Sequence, residues 1–152
     1  MKSSIRILVV GLVLSLALPA WAAPPVTETN TARGVTETFV DTPFCEPGAT
    51  HEITVTFNIV EHVTVFDDGR EHFTFTQTGT FVAEPLDPSG QSATGHFTVW
   101  GGFNNNGKTV NGTFTFNANG RFEDGTKINV HAVDHFNVTP DGTEFFFSRC
   151  KE

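Results

Sequence analysis

Apolar and polar residues alternate with period two through most of this chain. Ile53, Val55, Phe57 and Ile59 fall on one side of their segment, with Thr54, Thr56 and Asn58 on the other. Phe73, Phe75 and Phe81 repeat the pattern against Thr74, Thr76, Thr78 and Thr80, as do Phe97 and Val99 against His96 and Thr98. Phe114 and Phe116 stand against Thr113 and Thr115, and Ile128, Val130, Ala132 and Phe136 close the series. Successive side chains of a strand point to opposite faces, so the alternation predicts strands with one wet and one dry face. Nothing after residue 22 carries a helical period. The spacing predicts strands near 35–41, 51–66, 70–84, 93–103, 108–118, 126–138 and 143–150, with an eighth around 121–123.

The punctuation between these segments is that of a meander. Asp67-Asp68-Gly69, Asn105-Asn106-Gly107, Ala118-Asn119-Gly120, Glu123-Asp124-Gly125 and Pro140-Asp141-Gly142 each offer a glycine for a tight turn. They lack the alternating ligands of a calcium loop. Seven or eight antiparallel strands with one dry face must close or stack. The expected fold is therefore all-β, a single antiparallel β-barrel over 35–152, with a β-sandwich as the alternative.

The N-terminus changes the picture by supplying an address. Lys2 and Arg6 precede an apolar run from Ile7 to Leu18, and Ala20-Trp21-Ala22 gives small residues at the −3 and −1 positions of a cut. That is a secretory signal over 1–22, cleaved between Ala22 and Ala23. The run is about twelve residues, short of the roughly 20 a spanning helix needs, so no membrane attachment is expected after cleavage. Residues 23–34 show no period and read as a flexible leader. The mature chain is expected to be secreted, to the extracellular space or a periplasm.

Losing the signal moves the formal charge from −8 to −10. A nucleic-acid partner is excluded by repulsion from the phosphates. The acidity is what keeps a secreted surface soluble, and is not taken as a sign of a cationic partner. Export also decides how the two cysteines read. Cys45 and Cys150 lie far apart, and in an oxidising compartment the simplest expectation is one disulfide between them. It would close a loop of about 100 residues, for which chain entropy gives roughly 4–5 kcal/mol as an upper figure.

The combination of signal, leader, Phe44-Cys45 near the first strand, Asp-Gly hairpins, His-Phe-Thr segments and a terminal Cys150 resembles small secreted bacterial proteins without an assigned activity. The architecture is similar to calycin-type and allene-oxide-cyclase-type barrels. That resemblance implies an interior able to hold, or to cyclise, an apolar molecule; it brings no active-site residues with it.

Polar residues with dry-face parity are the candidate site. A three-residue Asp67–Gly69 turn pairs Phe66 with Arg70, hence Glu61 with Phe75 and Ile59 with Gln77, making Glu61 and Gln77 diagonal neighbours. Asp134 shares the parity of Ala132 and Phe136. Arg149 approaches Asp134 only if the last hairpin has the matching register; a Thr139–Gly142 type I turn with a bulge would send it outward. Glu61, Gln77 and Asp134 either orient a ligand or form a satisfied polar network.

The histidines make a poor metal site. His62 and His72 come out diagonal on the wet face, without an acid or thiol in register. His131 and His135 would be about 13 Å apart on a strand. His51 and His96 relate to neither pair, so no metal or other cofactor is expected. Trp100 has wet parity, unless Gly101-Gly102 bulges and turns it inward. Asn111-Gly112-Thr113 and Asn137-Val138-Thr139 fit the glycosylation pattern, which carries no weight if the source is bacterial, as the resemblance implies. Ser89, Ser92 and Ser148 lack any nucleophile context. Three functions remain. The first is a module binding a small apolar ligand or a protein partner, with homo-oligomers allowed. The second is an isomerase or cyclase using Glu61 or Asp134. The third is an envelope or surface protein with no ligand.

Overall fold

The computed structural model describes residues 23–42 and 49–151. They form seven strands: β1 (Val26–Asp41), β2 (His51–Val65), β3 (Glu71–Pro85), β4 (Ala93–Asn105), β5 (Val110–Phe122), β6 (Lys127–Val138) and β7 (Glu144–Lys151). Each pairs antiparallel with the next, giving one sheet in sequence order. The all-β meander is as the alternation predicts. Residues 1–22, with the cleavage position at Ala22, lie outside the described residues, as does Cys45. The expected bridge from Cys45 therefore cannot be placed, although Cys150 stands opposite Ala132 and no cysteine among the described residues is free.

Three expectations are corrected. The sheet does not close into a barrel: among the described residues β1 and β7 are not paired with each other. Seven antiparallel strands leave the first and last running the same way, so closure would demand a parallel seam, and β7 is only 8 residues long. Nor is there a second sheet among the described residues to make a sandwich. The leader is also strand, since Val26 to Ala32 pair with Val65 to Ile59. Finally, the Ala118–Gly120 turn signal and the eighth strand at 121–123 are absorbed into β5, which runs on to Phe122.

The register sorts side chains onto two faces. On the outer face, threonines meet across strands: Thr38 and Thr54 hydroxyls are 3.0 Å apart, Thr27 and Thr64 2.9 Å. The inner face carries the core. Ile53, Val55, Phe57, Phe81, Ala83, Ala93, Phe97, Ala118, Ile128 and Val130 are buried in one cluster. All of them lie in the halves of β2 to β6 nearest the β3–β4 and β5–β6 connections. Small residues let that end close. Val55, Phe81, Gly95, Gly120 and Ile128 follow one another across the sheet, and the Phe81 ring lies over both glycines. A Cβ on Gly95 would strike the Asn119 carbonyl oxygen and stand 2.7 Å from the ring.

His51 sits at the same end, 3% exposed. Its Nδ1 is 2.7 Å from the Ala49 carbonyl oxygen and its Nε2 3.1 Å from that of Gln91. A neutral ring can donate to one of these and an imidazolium to both. The other end is looser. There Phe73 and Phe103 (5.2 Å between centroids), Phe75 and Phe114 (5.8 Å), and Phe114 and Phe136 (5.7 Å) form a run of half-buried rings.

Candidate functional site: a cavity on the inner face

The inner face holds an open cavity of about 380 Å³, lined by Ile53, Val55, Phe57, Phe81, Phe97 and Ala118 of the buried core and reaching toward the looser end at Gln77 and Asp134. Strands β1 through β6 all contribute to its wall, from Phe39 on β1 to Ala132 on β6. In a flat sheet strands five places apart would be roughly 24 Å from each other, so the sheet must curl around this space. Phe57, Phe81, Phe97 and Phe116 supply aromatic surface. Phe57 and Phe97 meet edge-on at 6.3 Å, and Phe97 and Phe116 stack at the same separation. Gly79 makes the first contact possible, because it stands between Phe57 and Phe97 in the register and has no side chain to separate them.

Two of the three candidate polar residues face this space. Gln77 and Asp134 line the cavity, while Glu61 does not. The β2–β3 hairpin has the register expected: the Phe66 amide donates to the Arg70 carbonyl at 2.9 Å, Glu61 pairs with Phe75 and Ile59 with Gln77. Glu61 therefore lies diagonal to Gln77 on the inner face, in the row that runs through Phe75, Gly101 and Phe114 to Asp134, and only the Asp134 end of that row lines the cavity. Half-buried Gln77 and Asp134 make no side-chain hydrogen bond to another described residue. Arg149 does not approach Asp134. The Gly142 amide donates to the Thr139 carbonyl and the Thr139 amide to that of Thr143. Gly142 takes φ of +82°, the left-handed conformation that a bulged hairpin needs. Arg149 consequently pairs with Val133 on the outer face, and Ser148 stands opposite Asp134.

The structure adds polar residues that the sequence reading passed over. Glu37 and Asp41 on β1 share the inner parity of Phe39 and also line the cavity. Their alternation with Val35 and Phe39 was the available signal. The remaining candidates are on the outer face. Trp100 is 44% exposed, with unbroken register through Gly101 and Gly102, so no bulge turns it inward. His62 and His72 are diagonal neighbours there, but each is engaged elsewhere. His62 Nδ1 is 2.8 Å from the Thr29 hydroxyl and His72 Nδ1 2.6 Å from Asn104 Oδ1. His131 and His135 meet Asn117 and Thr113 in the same way. Among the described residues no three His, Cys, Asp or Glu side chains converge as metal donors.

Four aspartates titrate below the ordinary carboxylate range, and all lie in turns or loops. Backbone amides dominate for three: that of Arg70 on Asp68, Ser89 on Asp87 and Thr126 on Asp124. For Asp141 the Thr139 hydroxyl comes first. None of the four lines the cavity. Comparison with family models, with curated proteins and with solved structures finds no match to this chain.

Proposed function

We propose that the protein is exported and binds a small, mainly apolar molecule in the inner-face cavity, with Gln77 and Asp134 as its polar contacts. The observation that carries this reading is the cavity itself. Its volume falls within the range of small-molecule sites, typically about 300–1,000 Å³, and its wall has the usual make-up of aromatic and aliphatic surface with a few polar groups. A polar side chain on an apolar face loses free energy unless water or a ligand meets it. Gln77 and Asp134 have no side-chain hydrogen-bond partner among the described residues, which leaves their hydrogen-bonding capacity to whatever enters. The signal-like segment over 1–22 supports export. A Cys45–Cys150 bridge belongs with this reading, and the absence of a free thiol among the described residues supports it.

A titration with N-phenyl-1-naphthylamine, an uncharged dye that brightens in apolar surroundings, tests the proposal. Saturable binding of one dye per chain is expected, and Ala132→Trp, which fills the cavity from β6, is expected to abolish it. Circular dichroism on the same sample checks that the variant keeps its strands. No saturable signal, or an equal signal in a folded Ala132→Trp protein, overturns the reading.

A further inference from the structure

We infer that the cavity selects a cation: a small apolar molecule carrying an amine or quaternary ammonium group. This rests on the reading that the cavity is a ligand site, and goes further by fixing the charge of what it takes. The wall holds three carboxylates, Glu37, Asp41 and Asp134, and no lysine, arginine or histidine among the described residues. They come from opposite sides of the cavity, Glu37 and Asp41 from the edge strand β1 and Asp134 from β6. The basic side chains of the neighbouring segment point away, since Arg149 and Lys151 share the outer face with Val133 and His131.

Each kind of ligand meets a different balance in this setting. An anion would lose its hydration only to lie beside three like charges. A neutral molecule would gain from the apolar wall and leave the carboxylates unused. A cation gains on both counts, because the negative faces of rings such as Phe57, Phe97 and Phe116 attract it as the carboxylates do. Among the described residues no basic side chain lines the cavity to offset its three carboxylates.

Displacement of the bound dye by three compounds with one eight-carbon tail separates these cases: octyltrimethylammonium, 1-octanol and octanoate. The cation is expected to displace it at a concentration about tenfold lower than the alcohol, a ratio equivalent to about 1.4 kcal/mol, with octanoate weaker still. Glu37→Gln/Asp41→Asn/Asp134→Asn is expected to erase the advantage of the cation. Glu52→Gln/Glu123→Gln/Glu144→Gln, which removes equal charge away from the cavity, is expected to keep it. The single variant Glu37→Gln, at an exposed position, should show part of the loss even if the triple variant does not fold. Equal displacement by alcohol and cation, or equal loss in both triple variants, overturns the inference while leaving the ligand reading standing. A dye that fails to bind at all overturns that reading first.

Discussion

The two ends of the inner face obey the same alternation and reach different states. At the end holding the β3–β4 and β5–β6 connections, Phe57 is 6% exposed and Ala83 and Ala93 are sealed. At the other end Phe73, Phe103 and Phe136 stay half-buried, and Phe146 on β7 is 70% exposed. Hydrophobicity does not distinguish them, since the loose end is the richer in phenylalanine. Size and company do. Ala83, Ala93, Gly95, Ala118 and Gly120 let β3, β4 and β5 wrap closely around Phe81 and Phe97, whereas at the other end only Gly101 and Gly112 stand among the rings of Phe73, Phe75, Phe103, Phe114 and Phe136. The dry end anchors the fold, and the cavity lies over it, sharing Ile53, Val55, Phe57, Phe81, Phe97 and Ala118 with the core.

The largest expected effect follows from that contrast. Phe57→Ala removes a ring from the sealed end and should cost about 3–5 kcal/mol. Phe103→Ala removes the same atoms from a half-solvated stack and should cost roughly 1–2 kcal/mol, in proportion to the area it hides from water. Urea unfolding of both variants against the parent gives the comparison directly. Equal losses would mean that the two ends are packed alike.

Much of this was legible in the sequence, and what was missed has physical causes. Parity placed the strands from β2 onward and gave Trp100 a wet-face position with a Gly101-Gly102 bulge left open, and the three-residue Asp67–Gly69 turn paired Glu61 with Phe75. The first half of β1 was hidden because polar Glu28 and Asn30 interrupt its inner row between Val26 and Ala32, and because the register slips between Ala32 and Val35. A phase change of that kind erases a period-two signal without breaking the strand. Barrel closure was misjudged because alternation reports which face is dry and is silent on how the terminal strands meet. Glu37 and Asp41 were overlooked although they obey the same parity that singled out Glu61.

The outer face should not share the asymmetry, which makes it a control. Its threonine pairs stand in water at both ends, Thr38 with Thr54 beside the sealed core and Thr27 with Thr64 beside the loose one. Thr38→Ala and Thr27→Ala should each cost about 0.5 kcal/mol, the ordinary worth of a cross-strand pair. A markedly larger loss at Thr38 would show that the outer face also contributes to closing that end.

The turns give the finest test, because acid reaches both ends through the same chemistry. Asp124 accepts hydrogen bonds from the Thr126 amide at 2.8 Å and from Gln91 Nε2 at 3.2 Å, linking the β5–β6 turn to the β3–β4 loop at the sealed end. Asp141 accepts from the Thr139 hydroxyl and from the Thr143 amide, wholly within its own turn at the loose end. Both carboxylates ionise more readily in the folded chain than in the unfolded one. The unfolded chain therefore binds the proton more tightly. Their stabilisation is fully present above the unfolded value of about 3.9 and is lost as pH falls through the lower folded value. Asp124→Asn and Asp141→Asn should thus differ from the parent near neutrality and converge on it as pH falls through those lowered folded-state values, read as thermal midpoints across that range. Both carboxylates are exposed to solvent, so each effect is small. The Asp124 difference should be the larger of the two, since its bond to Gln91 crosses between two connections of the sealed end, and an equal pair would reduce both aspartates to local turn chemistry.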